Sequence, residues 1–277
     1  EFCADFAVTH FFNPPRYMRL LELVGGAATR PEVLAALESF CDVRLGKEVV
    51  TAKDTPGFIG NRIGIYWSST AMSQAIELGL SIEEADAIVG QPMGIPRTGI
   101  FGLIDLTGID LAPHVNESML RLLPADDAFC QEFDAEGKLA TTIARMIAEG
   151  YTGRKGKGGF YRRSKVDGKR VKEVLDFESG DYRPVRKARL DSARAAKKGL
   201  RALVEHEDRG GQYAWRVLSR VLSYAASLVP EIADSIRHVD LAMKTGYAWK
   251  YGPFEQIDQL GAKWFAERLE AEGLEVP

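Results

Sequence analysis

The residue pattern changes at Pro56 and Gly57, and this change constrains the fold more than any other feature of the 277-residue sequence. Before it, two apolar runs rich in β-forming residues precede a helical segment and a third β-rich run, which predicts the order strand, strand, helix, strand. Thr29 and Glu32 have the spacing of a capping box at the start of that helix. Residues 1–56 therefore predict an α/β segment that is too small to cover both faces of its own sheet.

After the change the apolar spacing is helical, and glycines and prolines divide the chain into short helices. A weak internal repeat relates Ala85–Gly108 to Val239–Gly261, because each has an Asp, then Gly before Phe, then Ile-Asp-x-x-Gly. Between the two copies, the sequence predicts a hairpin with Asp167-Gly168 at its turn. We therefore expect a mainly α fold, with two related helical units that follow a short α/β segment.

Composition excludes several classes of function. The net charge of −3 argues against a general basic surface for nucleic acid, and no apolar run approaches a membrane span of roughly 18 residues. Three scattered cysteines are typical of a reducing compartment, so we expect a cytoplasmic location. The four histidines share no ligand spacing, so we expect no metal site. Neither a G-x-G-x-x-G turn after a strand nor a G-x-S-x-G elbow occurs in the sequence.

A histidine and a carboxylate near the start of the sequence are the first candidates for chemistry. His10 ends an apolar run, and Glu22 is the lone acidic residue of the next apolar run. A carboxylate beside an imidazole orients the ring and stabilises its protonated form, as in a general base and its partner. The residues alone leave a second interpretation open, in which His10 ends a strand and Glu22 faces solvent. Asn61, which follows a Pro-Gly break, is likewise typical of a helix N-cap.

Several short motifs occur together in an order that is typical of one enzyme family. "HFFNP" is followed by Glu22, then by "DTPGFIGNR" (Asp54–Arg62), "DLTGID" (Asp105–Asp110) and "GRKGKGGFY" (Gly153–Tyr161). In these motifs the sequence resembles the 3-hydroxyacyl-CoA dehydrogenase family. The hairpin and second helical copy behind them resemble the long bacterial multifunctional form, in which an enoyl-CoA hydratase domain follows the dehydrogenase.

The resemblance implies a role for each matching residue. His10 corresponds to the general base that takes the 3-hydroxyl proton while hydride leaves C3. Glu22 corresponds to the carboxylate that polarises this histidine. Asn61 corresponds to an amide that orients the acyl-CoA substrate. Asn13 and Lys155 correspond to positions that contact the cofactor, NAD. The second helical copy has no counterpart of Asn61, so we expect it to be structural.

The resemblance also implies domain boundaries. Residues 1–56 correspond to the C-terminal remnant of a Rossmann NAD-binding domain, 57–160 to a first helical copy, 161–195 to a hairpin and linker, and 196–277 to a second, degenerate copy. The helical copies are expected to pack as an intramolecular pseudo-dimer. In this interpretation the sequence is a fragment that binds NAD weakly, is inactive alone, and pairs its open strand edges with another copy.

Three functions compete on this basis. The first is the dehydrogenase of fatty-acid β-oxidation, which converts (S)-3-hydroxyacyl-CoA and NAD to 3-oxoacyl-CoA and NADH. The second is a related dehydrogenase of a small hydroxy acid, for which Arg16 is the one nearby arginine that could bind a free carboxylate. The third is a non-catalytic helical scaffold, which leaves the combination of His10, Glu22 and Asn61 unexplained. The first is favoured.

Overall fold

The computed structural model describes residues 2–166 and 168–277. The predicted turn at Asp167-Gly168 therefore falls partly outside the described residues, because Asp167 is not among them. Within those two ranges, none of the helices combines the length and the hydropathy that crossing a bilayer requires.

The chain divides into two compact units, one formed by Glu1–Ile65 with Val221–Pro277 and the other by Tyr66–Arg220. In chain order, the strands and α-helices are β1 (Ala7–Phe11), β2 (Leu20–Gly25), α1 (Pro31–Leu45), β3 (Glu48–Ala52), α2 (Gly60–Glu77), α3 (Ile82–Ile88), α4 (Gly99–Thr107), α5 (Leu111–Leu122), α6 (Ala128–Glu132), α7 (Lys138–Ala148), β4 (Tyr161–Val166), β5 (Lys169–Leu175), β6 (Tyr182–Pro184), α8 (Asp191–Ala195), α9 (Leu200–Val204), α10 (Arg209–Ser227), α11 (Ile236–Gly246), α12 (Pro253–Leu260) and α13 (Ala262–Ala271).

The first unit is built around a three-stranded sheet in the order β1-β2-β3. β1 and β2 are antiparallel, whereas β2 and β3 are parallel and are joined through α1. Leu21 and Leu23 of β2 pack against α1. Because side chains alternate along a strand, Leu20, Glu22 and Val24 point to the other face. α11 packs against β2 and β3, and Gly246 at its end lies directly against Leu20, so the C-terminal segment covers this second face.

The second unit contains an antiparallel sheet in the order β4-β5-β6 together with short helices. β4 and β5 pair from Tyr161 opposite Val174 onward, which is the hairpin that the sequence predicts. Val174 and Leu175 are buried. The Asp105 carboxylate at the end of α4 accepts hydrogen bonds from the backbone N–H groups of Phe160 and Tyr161, at 2.7 and 2.8 Å. The hairpin is therefore a packed part of its unit.

The expected mainly α fold of two related helical units is wrong. The described residues form two three-stranded sheets, and each has buried residues. The β4–β5 hairpin was expected as part of a linker, but β6 pairs with β5 to complete a sheet, and Val174 and Leu175 of β5 are buried. The first sheet gains its second covering layer from residues 221–277, which a local sequence pattern does not reveal.

The two repeated segments share a helix cap. The Asp86 carboxylate accepts a hydrogen bond from the backbone N–H of Phe101, at 2.8 Å, in the first turn of α4. The Asp240 carboxylate accepts the equivalent bond from Phe254, also at 2.8 Å, in the first turn of α12. A Cβ at Gly252 would lie 2.3 Å from the Asp240 carboxylate, so this approach requires glycine. The repeat therefore encodes a carboxyl group that accepts a hydrogen bond from a backbone N–H in the first turn of a helix.

The cap in the first copy has an unusual titration. Burial raises the pKa of Asp86 to about 7, although hydrogen bonds from Phe101 and the Tyr161 hydroxyl act in the opposite direction. An Asp in an unfolded chain has a pKa of about 3.9. Between these two values the folded protein retains a proton that the unfolded chain has released, so stability falls as the pH rises through this window.

Replacement of Asp86 by Asn should remove this pH dependence, because Asn does not ionise. Between about pH 5 and pH 8, the wild type is expected to lose roughly 2–3 kcal/mol of unfolding free energy relative to Asp86→Asn. Urea unfolding at the two pH values measures the difference, and Asp126→Asn at an exposed position is the matched control. An equal pH dependence in the wild type and Asp86→Asn would contradict the assignment.

Candidate active site

The strand register places His10 directly opposite Glu22 in the β1–β2 pair. Directly opposed side chains in an antiparallel pair lie close enough to interact, and His10 Nδ1 is 2.6 Å from Glu22 Oε2. The Glu22 side chain is fully buried, whereas that of His10 is 30% exposed. The alternative in which Glu22 faces solvent is therefore wrong.

The other oxygen of Glu22 is held by the N-terminus of α2. Oε1 accepts hydrogen bonds from the backbone N–H groups of Ile59, at 2.9 Å, and Gly60, at 2.7 Å. Free N–H groups and the helix dipole both favour a negative charge at this position. An ionised carboxylate only accepts hydrogen bonds, so the proton of a neutral His10 ring lies on Nδ1. Nε2 then carries the lone pair, which makes it the basic atom of the ring.

A tight turn before α2 positions these donors. Gly57 and Phe58 both have left-handed backbone conformations, with φ of 78° and 48°. A Cβ at Gly57 would lie 2.9 Å from the backbone nitrogen of Arg62, so the first position requires glycine. The second is unfavourable for a bulky residue, but it places the Phe58 ring 5.6 Å from the His10 ring. The Phe12 ring lies 5.0 Å from the same imidazole. The imidazole is thus in contact with two aromatic rings.

Asn61 lies in the first turn of α2, next to the residues that bind Glu22. Its Oδ1 accepts a hydrogen bond from the hydroxyl of Tyr247, at 3.4 Å, rather than from a backbone N–H of its own helix. This contact argues against a simple N-cap. Two glycines allow the close packing: a Cβ at Gly60 would lie 2.5 Å from the Phe12 ring, and one at Gly64 would lie 2.1 Å from Tyr247.

Arg62 is a residue of the site region that the sequence interpretation missed. Its side chain is 1% exposed, its Nε donates to the Tyr224 hydroxyl at 2.5 Å, and its guanidinium lies 3.5 Å from the Glu231 carboxylate. It also donates to the carbonyl oxygen of Pro56 at 3.5 Å. Arg62 therefore fixes the first turn of α2. Its position beside Asn61 in "DTPGFIGNR" was the available signal.

The two residues expected to contact the cofactor lie in different compact units. Asn13 is exposed on the loop between β1 and β2. Lys47 stabilises this loop by donating from Nζ to the carbonyl oxygen of Met18, at 2.8 Å. Lys155 is in the second unit, where its Nζ lies 2.7 Å from the Asp110 carboxylate and its hydrogen bond lowers the pKa of Asp110.

The structure thus brings together His10, Glu22 and the first turn of α2, which contains Asn61. In the part of the chain that the structure describes, no group of three or more His, Cys, Asp or Glu side chains could hold a metal ion.

Two family models match the chain. Residues 3–55 match the NAD-binding domain of 3-hydroxyacyl-CoA dehydrogenase, and residues 57–163 match the C-terminal domain of the same family. Together they cover more than half of the chain. The chain therefore belongs to the 3-hydroxyacyl-CoA dehydrogenase family, whose members are oxidoreductases. The first match also counts against the expected mainly α fold, because it assigns the first sheet to a Rossmann-type domain.

Individual relatives agree with this family. A Rickettsia felis protein that is provisionally named a fatty acid oxidation complex trifunctional enzyme is 39% identical over 252 residues, which are 91% of this chain and 34% of that protein. A probable 3-hydroxyacyl-CoA dehydrogenase of Bacillus subtilis is 36% identical over 282 residues, which cover 100% of this chain and 35% of that protein. The chain thus spans about a third of the length of these curated relatives.

A solved structure supports the fold. The 3-hydroxybutyryl-CoA dehydrogenase of Escherichia coli K12 superposes with a TM-score of 0.66 at 23% identity, over 97% of this chain and 67% of that chain. At this identity the similarity concerns the fold alone. Segments of both family domains are present in the chain, so neither the expected fragment nor the expected multifunctional form is confirmed.

Replacement of Gly64 by Ala tests the close packing beside Asn61. The new methyl group would overlap the Tyr247 ring, so we expect the unfolding free energy to fall by about 1–3 kcal/mol. Gly26→Ala is the matched control, because its Cβ would meet Thr29 at an ordinary distance of 3.7 Å. Urea unfolding measures both variants, and equal stability of the two would show that Tyr247 does not pack against α2 in this way.

Proposed function

We propose that the full-length polypeptide that carries these 277 residues oxidises (S)-3-hydroxyacyl-CoA to 3-oxoacyl-CoA with NAD, as a step of fatty-acid β-oxidation. The observation that carries this proposal is the His10 imidazole, which is bound at Nδ1 by a fully buried carboxylate and is exposed to 30%. Membership of the dehydrogenase family supports the reaction class. The name of the Bacillus subtilis relative supports a CoA thioester as the substrate, and that of the Rickettsia felis relative supports fatty-acid oxidation.

His10 is suited to accept the proton of the 3-hydroxyl. Its Nδ1 donates to Glu22 at 2.6 Å, so Nε2 can take the proton while the ring keeps its orientation. The ring becomes positively charged in this step, and the adjacent Glu22 carboxylate stabilises that charge. The electron pair of the O–H bond then forms the carbonyl at C3 as hydride leaves that carbon.

The residues present fit one end of an NAD molecule. His10 supplies a partly exposed imidazole, and Asn13 supplies an exposed amide on the loop that follows its strand. NAD, when bound, accepts the hydride from C3. Lys155 is 52% exposed and is paired with the Asp110 carboxylate. Its ammonium group supplies a positive charge that can bind an anionic group of the cofactor in place of Asp110. We propose Asn13 and Lys155 as contacts of this kind.

Asn61 is proposed to orient the substrate. An amide whose oxygen accepts a hydrogen bond directs its NH2 group elsewhere, and that group can donate to a carbonyl oxygen. Because the Asn61 oxygen accepts a hydrogen bond from Tyr247, the NH2 group is the end of the amide that is proposed to donate to an acyl-CoA oxygen.

Replacement of His10 by Gln tests the proposed base. Gln removes the proton acceptor, so kcat should fall by about 10²- to 10⁴-fold, with little change in KM. His238→Gln, a histidine in the same compact unit, is the matched control and should keep wild-type kinetics. The assay follows NADH formation by the full-length polypeptide with 3-hydroxybutyryl-CoA. An unchanged kcat in His10→Gln would reject the role of His10. Oxidation of free 3-hydroxybutyrate in preference to its CoA thioester would reject the substrate class.

We also propose that these 277 residues by themselves bind NAD weakly and lack activity. Pyrophosphate is usually bound by a G-x-G-x-x-G turn at a helix N-terminus, and the sequence contains no such turn. Contacts of exposed groups such as Asn13 and Lys155 give only about 1 kcal/mol or less each, whereas micromolar binding requires about 8 kcal/mol.

Calorimetric titration of the 277-residue chain with NAD measures this affinity. We expect a dissociation constant in the millimolar range or weaker, and the full-length polypeptide serves as the comparison. A micromolar dissociation constant for the 277 residues would show that the pyrophosphate site lies within them.

A further inference from the structure

Tyr247 brings the second repeated segment to the candidate active site. It follows the last residue of α11, within Val239–Gly261, and its hydroxyl lies 3.4 Å from Asn61 Oδ1. Its ring meets the Phe12 ring at a centroid distance of 5.7 Å, in an edge-to-face arrangement. On the side of α2, Gly64 leaves the space that the ring and hydroxyl occupy. Tyr247 is thus packed on two sides, with its polar end directed at Asn61.

The environment keeps this hydroxyl protonated. Burial, and then the negative charge of Glu22, raise the pKa of Tyr247 above its ordinary value. A protonated hydroxyl donates to an amide oxygen, so Oδ1 rather than Nδ2 of Asn61 is the atom that faces the Tyr247 hydroxyl. With Oδ1 bound to Tyr247, the two N–H donors of Nδ2 are directed away from the Tyr247 hydroxyl.

We propose that Tyr247 is a positioning residue, which holds the Asn61 amide so that its NH2 group is presented to an oxygen of the acyl-CoA. This inference rests on the proposed function, since it assigns Asn61 to substrate orientation. It also gives a functional part to the second repeated segment, which the sequence alone predicted to be structural.

A double-mutant cycle in the full-length polypeptide separates positioning from general packing. The variants are Tyr247→Phe, which keeps the ring, Asn61→Ala, and their combination. A net hydrogen bond contributes about 0.5–1.5 kcal/mol, so Tyr247→Phe should lower kcat/KM roughly two- to tenfold. In the Asn61→Ala background, Tyr247→Phe should cause no further loss, because the amide that it positions is gone. Tyr251→Phe, four residues away in the same segment, is the matched control and should behave as the wild type.

Binding of acetoacetyl-CoA, measured by calorimetry, gives a readout that does not depend on turnover. Tyr247→Phe should weaken this binding by the same factor as kcat/KM, and again only when Asn61 is present. Thermal unfolding of each variant shows that the fold is retained.

Wild-type behaviour of Tyr247→Phe would overturn the inference, as would an equal loss with and without Asn61. A wild type that binds acetoacetyl-CoA but oxidises no 3-hydroxyacyl-CoA would refute the proposed function, and the binding cycle would still decide the role of Tyr247. A wild type that neither binds nor oxidises acyl-CoA would overturn both.

Discussion

The carboxylate of Glu22 receives hydrogen bonds from two other parts of the first unit, namely the imidazole of His10 on β1 and the backbone N–H groups that open α2. Glu22 is fully buried, and a buried carboxylate that loses a hydrogen-bond donor typically costs about 1–3 kcal/mol or more, because its charge is left without compensation. β1, β2 and the first turn of α2 therefore cannot shift independently. The contact that stabilises this part of the fold is also the one that orients the proposed base.

The burial of Glu22 depends on the far end of the chain. Glu22 shares its face of the sheet with Leu20, and α11 from the C-terminal segment packs on β2 and β3, with Gly246 against Leu20. Lys53, just after β3, reinforces this arrangement by donating to the carbonyl oxygen of Pro230, at 2.8 Å. Without these contacts the carboxylate would be hydrated, and its influence on the His10 ring would be screened.

The sequence predicted which residues come together at the candidate site, but only part of their surroundings. His10, Glu22 and Asn61 were found because their motifs follow one another in a family order, and the strand register then explains why the first two meet. Tyr247 was missed, since its partner is 186 positions away and a single tyrosine in a helical segment carries no signal of its own. Arg62 was missed although its motif was recognised, because its burial depends on a distant partner. Its Nε donates to the hydroxyl of Tyr224, which is 162 positions away.

The internal repeat shows the same limit at the level of the fold. Asp86 and Asp240 cap equivalent helices in the two copies, so the repeated motif predicted a real local structure. The next acidic residue of the motif diverges. Asp105 binds the backbone N–H groups at the start of the β4–β5 hairpin, whereas Asp258, its counterpart in the second copy, is exposed. The repeated motif therefore predicts the helix cap alone. In the first copy the chain continues into the β4–β5 hairpin, whereas α11 of the second copy packs on β2 and β3.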